Sequence, residues 1–295
     1  MRYTQLRAFH HVASQGGFSR AAEYLNQSQP SLSEQVRQLE RDNDVLLFVR
    51  RNRKVELTEA GERLFELTRQ YFEVEDTIGE YLDQSSHALS GTLRIVVDSP
   101  LHVAEMLHLF RSKHPDVVVE MRVGNSNDVL NALRNYEAEI GVFGSNADVP
   151  DLSLITLGTS SIRAIYSPDF FASPPDQLTF AEVRKWPLIF RERGSQTQQR
   201  MMAAARKAGV RLEPVMVVEG REAMRDMVAK GFGIGFVSEA EIEGDTRLCQ
   251  IALDEDGLEM PEVLAHLKSR EHVPMIRSFM DAIPGTNHRQ DHQPY

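Results

Sequence analysis

Four short segments carry hydroxyl, amide and guanidinium groups where a chain would change from strand to helix. They are Asp98-Ser99-Pro100, Gly124-Asn125-Ser126, Gly194-Ser195-Gln196-Thr197 and Glu219-Gly220-Arg221-Glu222, with Arg191 and Arg193 just ahead of the third. Helix N-termini offer free N–H groups and a partial positive charge, which suits anions. Open α/β sheets bind ligands beyond the carboxyl ends of their strands. Ser99, Pro100, Asn125, Ser126, Arg191, Ser195, Thr197 and Arg221 are therefore candidate ligand-binding residues. The ligand they suit is a small anionic or zwitterionic metabolite bearing a carboxylate, sulfonate or phosphonate. Glu192, Glu219 or Glu222 could hold an amine. Taken singly, each Ser, Thr or Asn is as well explained by helix capping, and each Arg by a surface ion pair. Four junctions converging on one cleft favour a binding site.

A second group of residues suits nucleic acid. In a helix from about Gln29 to Arg41, Leu32, Val36 and Leu39 share one face, while Pro30, Ser33, Glu34, Arg37 and Arg41 point the other way. Such a helix can enter the major groove, where Arg bonds a guanine edge or a phosphate. Arg50, Arg51, Arg53 and Lys54 form a basic hairpin tip that could follow phosphates or enter a narrow minor groove. The alternative is any three-helix module with a solvated face.

Catalytic chemistry finds no support. Gly231, Gly233 and Gly235 follow a helix and lead into a strand, the reverse of a dinucleotide fingerprint, so Gly231 reads as the left-handed residue ending a helix. His288 and His292 lie in the polar tail, and Cys249 has no nearby base. Neither a metal nor an organic cofactor is expected, and the chain is not read as an enzyme.

The elements that would position these groups fall into four segments. Residues 1–58 read as three short helices and a hairpin (Val45–Val49 and Lys54–Leu57), with Ser19 placed to cap the second helix. Residues 59–90 read as a linker helix from Thr58 to about Leu89. Leu64, Leu67, Tyr71, Val74, Ile78 and Tyr81 recur along it at alternating spacings of 3 and 4, a heptad seam for dimerisation, with packing on its own chain as the alternative. Residues 91–283 alternate strand and helix, which predicts a doubly wound α/β domain. Two sets of elements imply two lobes, the first about 91–161 with a returning segment near 240–283, the second about 162–239. Residues 284–295 read as a disordered tail.

The runs F-S-R-A-A-E-Y-L at 18–25, S-Q-P-S-L-S-E-Q-V-R-Q-L-E at 28–40, L-F-V-R at 47–50 and R-K-V-E-L-T-E-A-G at 53–61 resemble the N-terminal signature of LysR-type transcriptional regulators. Two positions depart: Asn43-Asp44 stands where the family usually has Leu-Gly, so that turn should differ locally, and Gly17 replaces a small polar residue. The resemblance implies an all-α winged helix-turn-helix followed by a linker helix. Ser19, Arg20, Ser28, Gln29, Pro30, Ser31, Ser33 and Arg37 would contact DNA, with Arg50 and Arg53 on the wing. Beyond residue 90 it implies a two-lobed domain like type-2 periplasmic binding proteins. The implied partners are promoter DNA, a small-molecule effector, further copies of the chain up to a homotetramer, and RNA polymerase. The stretches around 191–200 and 219–228 are also similar to LysR-type regulators near aminophosphonate genes, which makes an aminophosphonate one effector candidate.

The bulk numbers agree with this division. The 295 residues carry a formal charge of −10, yet residues 1–60 hold nine Lys/Arg against seven Asp/Glu and the remainder 24 against 36. A locally basic surface can face DNA while the rest repels it. The absence of a signal-peptide pattern and the single cysteine lead to an expected cytoplasmic location without a membrane partner. A binding or transport protein would account for residues 91–283 alone but has no use for the first sixty.

Overall fold

The computed structural model describes residues 2–51, 54–82, 89–145, 149–242 and 244–283; the tail read as disordered lies outside them. The chain divides into two units, Met1–His87 and Ala88–Tyr295.

In the first unit α1 (Tyr3–Ser14), α2 (Phe18–Tyr24) and α3 (Gln29–Asn43) enclose Ala8, Phe9, Val12, Ala21, Ala22, Leu32, Val36 and Leu39. Gly16, at φ +63°, ends α1. Ser19 does not cap α2: the cap is Gly17, and the Ser19 hydroxyl instead donates to Gln29 Oε1 at 3.1 Å. Ser28 caps α3, accepting the Ser31 N–H. At the other end Asp44 adopts the left-handed conformation, φ 48° and ψ 46°, which glycine takes without steric cost. The hairpin of β1 (Phe48–Arg51) and β2 (Lys54–Leu57) starts later than expected. The Leu47 and Phe48 N–H groups bond the Glu40 carboxylate at 2.8 and 3.2 Å, and Leu47 is drawn into the core.

Thr58 then joins hairpin to helix, donating to Leu46 O and accepting the Gly61 N–H. A Cβ at Gly61 would lie 2.1 Å from Leu47 O, so only glycine permits this approach. The helix α4 (Glu59–Leu82) follows; the remainder of its expected length, 83–88, lies outside the described residues. Phe65 and, partly, Leu64 pack onto the first unit's own core. Leu64 therefore leaves the expected seam, whereas Leu67, Tyr71, Val74 and Ile78 are 48–62% exposed. The Tyr81 side chain is outside the described set.

The second unit opens with β3 (Gly91–Val97), α5 (Ala104–Lys113), β4 (Val117–Val123), α6 (Ser126–Arg134) and β5 (Ile140–Gly144). A 3-10 turn at Pro100–His102 precedes α5, where the sequence reads as one continuous helix from Pro100 to His114. Strands β3 and β4 pair in parallel, as do β3 and β5. Leu93, Ile95 and Val97 face one core and Val96 the other, as in a sheet covered on both faces.

β6 (Leu152–Tyr166) then crosses from one lobe to the other. Leu152 packs with the first lobe and Ile162 with the second. Only its end, Ala164–Tyr166, reads as strand in the sequence, because the polar Thr-Ser-Ser run hides the alternation. The second lobe comprises β7 (Gln177–Leu178), α7 (Phe180–Val183), β8 (Ile189–Arg191), α8 (Gln196–Lys207), β9 (Met216–Val218), α9 (Arg221–Ala229), β10 (Gly235–Ser238) and β11 (Cys249–Leu253). β12 (Glu259–Leu267) and α10 (Pro274–Met280) return to the first. Ile251 and Leu258 are buried in the second lobe's core, so the return begins near β12 rather than near residue 240. β12 runs antiparallel to both β5 and β6, and its ladder with β6 is irregular between Glu262 and Val263.

Candidate functional site

On α3 the local pattern acts as its periodicity predicts. Leu32, Val36 and Leu39 are at most 2% exposed, while Ser28, Gln29, Pro30, Ser31 and Arg37 are exposed and Ser33 is half-buried. Arg37 stands 4.0 Å from Glu34, with 64% and 59% of the side chains exposed. Such a pair contributes about 0–1 kcal/mol, so Arg37 is available to a ligand. Arg41 also bonds Glu34. The Arg20 guanidinium donates to Gly16 O at 2.9 Å, which holds it beside the start of α2. Arg50 lies on β1, its side chain outside the described residues, as is Arg53 altogether.

The four junctions of the second unit divide between the lobes. Ser99 is 1% exposed, Ser126 2% and Ser195 3%; Pro100 and Thr197 are half-buried. Asn125 caps α6, accepting the Asn127 and Asp128 N–H groups, and Ser195 caps α8 by accepting the Gln198 N–H. A Cβ on Gly194 would sit 2.4 Å from Asn125 Oδ1, so the N-termini of α6 and α8 meet across the cleft from opposite lobes. Arg191 is committed to Glu192, at 2.9 and 2.8 Å, and that carboxylate also accepts the Gly220 N–H. Burial pushes Glu192 up, but these partners outweigh it and hold its carboxyl below the usual range. Glu192 is therefore no free acceptor for an amine, and Glu219 and Glu222 are exposed. An open groove of about 900 Å³ runs along α8, lined by Phe190, Arg193, Arg200, Met202 and Val217. It is lined by the second lobe alone.

Three residues that the sequence leaves unmarked, His102, Glu241 and Glu262, occupy the cleft floor beside Asp98 of the first junction and Arg221 of the fourth. Arg221, expected to face a ligand, instead bonds Glu241 at 2.6 Å, with 9% and 4% of the side chains exposed. Asp98 Oδ2 accepts the Gly144 N–H at 2.8 Å and the Ser126 hydroxyl at 3.5 Å. His102 Nε2 lies 3.9 Å from Glu262 Oε1. Burial pushes Asp98 up, Glu241 up to about 7 against the opposing Arg221 charge, and His102 down. Burial, reinforced by the charges of Asp98 and Glu241, takes Glu262 up to about 9. One signal could have exposed Glu262: a carboxylate inside the apolar strand run M-P-E-V-L-A-H-L. Glu241, in E-A-E-I-E, has none.

Residues 3–62 match the model of the bacterial regulatory helix-turn-helix protein of the lysR family, and residues 86–286 match the LysR substrate binding domain. The chain belongs to the LysR family. It is a DNA-binding transcriptional regulator with an effector-binding domain, and its relatives are regulators rather than enzymes. Among them, the regulator IlvY of Escherichia coli is 27% identical over 98% of this chain and 100% of its own. The RuBisCO operon transcriptional regulator of Allochromatium vinosum is 28% identical over 86% of this chain and 85% of its own. The same fold appears in full-length OxyR from Pseudomonas aeruginosa, at a TM-score of 0.76 and 19% identity, covering 100% of this chain and 99% of that one. LysR regulators bind promoter DNA and small-molecule effectors and oligomerise. No helix among the described residues is long and apolar enough to cross a membrane.

Proposed function

We propose that this LysR regulator reads its operator with the exposed face of α3 and that a small anionic or zwitterionic metabolite between the lobes controls that binding. Ser28, Gln29, Pro30, Ser31, Ser33 and Arg37 would meet bases and nearby phosphates, Ser19 and Arg20 the flanking backbone, and Arg50 and Arg53 the wing contacts. The effector would be held by Ser99, Pro100, Asn125, Ser126, Ser195 and Thr197. Arg191 and Arg221 orient the carboxylates around it rather than facing it unpaired.

One observation carries this reading. The N-termini of α6 and α8 approach from opposite lobes, Asn125 against Gly194, so an anion there would bias closure by its differential contacts. Closure would repack the oligomer through Leu67, Tyr71, Val74 and Ile78, exposed on α4, and change the spacing of the DNA-reading heads. A cytoplasmic homotetramer that meets RNA polymerase at the promoter fits this mechanism.

The test is a mobility-shift titration on DNA upstream of the encoding gene. Binding falls steeply as salt rises, as phosphate contacts require, and Arg37→Ala erodes sequence preference more than Arg53→Ala does. Equal affinity for every duplex would overturn the reading of α3. Calorimetry with small carboxylates, sulfonates and phosphonates tests the cleft; Ser195→Ala binding each of them as the unmodified protein does would overturn that half.

A further inference from the structure

The cleft floor holds more acid than its partners satisfy. Asp98, Glu241 and Glu262 face two arginines that are already engaged: Arg191 is paired with Glu192, and Arg221 is committed to Glu241, whose carboxylate also takes the Ser238 backbone N–H. Seven buried side-chain polar atoms among the described residues lack a hydrogen-bond partner, and three of them belong here: Asp98 Oδ1, His102 Nε2 and Glu262 Oε2. The Glu262 side chain is 4% exposed. Acceptor atoms from Glu262, His102 and Glu241, one each, lie within 4.8 Å of one another. Buried polar groups without partners are costly and ask for an explanation.

These atoms share a requirement. Carboxylate oxygens accept only once the group is ionised, and an imidazole nitrogen without its proton accepts as well. What the floor lacks is a cationic hydrogen-bond donor beyond Arg221. We propose that Asp98, His102 and Glu262 form the subsite for a primary ammonium group of the effector, which makes that effector an amino acid in the broad sense, amine at one end and acid at the other. The inference deepens the proposed function and rests on it: the acid group goes to the junctions at Asn125 and Ser195, the amine to the floor.

The number of donors fits. An ammonium group has three N–H bonds and no acceptor, and three acceptors stand unpartnered. A divalent metal would draw on the same cluster but needs Glu241 as a ligand, and Arg221 already places a full positive charge 2.6 Å from that carboxylate. The site also answers the charge its neighbours impose. Without a cation, Glu262 keeps its proton because burial, Asp98 and Glu241 all oppose its ionisation, with only Arg221 favouring it. An arriving ammonium displaces that proton. The groups facing this exchange are Asp98, His102 and Gly144 N–H on the first lobe, and Arg191, Arg221 and Glu241 on the second.

Calorimetry on the full chain tests this with matched pairs of compounds: aminoethylphosphonate and ethylphosphonate, β-alanine and propionate, taurine and ethanesulfonate, with zinc and manganese salts as separate arms. In at least one pair the amine-bearing member binds about 30-fold more tightly, with proton release that its partner lacks. Glu262→Gln and Asp98→Asn remove that preference and leave the amine-free member's affinity unchanged. Trp186 fluorescence on unfolding confirms that both variants fold. The proposal is overturned if no pair shows the preference, if it survives both substitutions, or if either metal alone binds stoichiometrically and loses its site in Glu262→Gln. Loss of the amine preference with anion binding intact removes only this subsite, whereas anion binding indifferent to Ser195→Ala removes the broader reading.

Discussion

Arg37 and Glu34 stand 4.0 Å apart with 64% and 59% of their side chains exposed, whereas Arg221 and Glu241 meet at 2.6 Å with 9% and 4% exposed. The residue types are the same and the roles are opposite. In the DNA-reading unit charge is kept in water around a small apolar core, so an arginine gives up little when it turns to a phosphate or a base. In the effector-binding unit charge is taken inside, where each group constrains its neighbours and a missing partner is felt.

Removing one arginine from each region separates these cases most sharply. Arg221→Ala leaves Glu241 buried without its cation and costs about 3–5 kcal/mol, read in urea by Trp186, the chain's one tryptophan. Arg37→Ala costs about 0.5 kcal/mol or less, read by amide exchange in residues 3–65, but about 1–3 kcal/mol in specific DNA affinity. Equal stability losses from the two would break the contrast. Gly61→Ala acts next in size, because its Cβ would strike Leu47 O. Forcing helix and wing apart costs about 1–3 kcal/mol, seen as faster amide exchange in residues 3–65 with the Trp186 transition unmoved.

The response to pH divides the regions as well. Glu241 and Glu262 are pushed up to about 7 and about 9, so the folded effector domain holds protons that an unfolded chain releases above about 4.5. The stability these two groups contribute is full below that pH and is lost as pH rises through 7 and 9. His10, packed against Phe65 and Phe72, is pushed down to about 4, mainly by burial. The DNA-reading unit is thus steadiest above about 6.5 and weakens as pH falls toward 4. Exchange mass spectrometry across pH resolves the two trends; parallel trends would remove the distinction. The smallest effect is a gain. Asp44→Gly relieves a left-handed residue and stabilises the first unit by about 1 kcal/mol, raising its melting temperature without altering DNA preference.

How far each region is legible in the sequence follows from the same difference. The face of α3 can be read from Leu32, Val36 and Leu39 because helical period alone decides which side chains share a side. The departure at Asn43-Asp44, expected to alter the turn, leaves a left-handed backbone in place at Asp44. The helix starts at the cleft are legible too, since capping is a local matter, and Asn125 and Ser195 take the positions their sequence context implies. What misled was partnership: Ser19 bonds Gln29 instead of its own helix, Arg191 turns to Glu192, and Leu64 joins the core beside it.

The division into a DNA-reading unit and an α/β effector domain, the outward face of α3 and the helix starts around the cleft follow from residue order alone, because each depends on residues within a few turns of one another. That Asp98, His102, Arg221, Glu241 and Glu262 share one buried floor depends instead on how the packed lobes bring them together. They come from four separated stretches, Asp98 with His102 in one and the other three singly, joined where β6 and β12 carry the chain between lobes, and nothing local records which charges will be buried together.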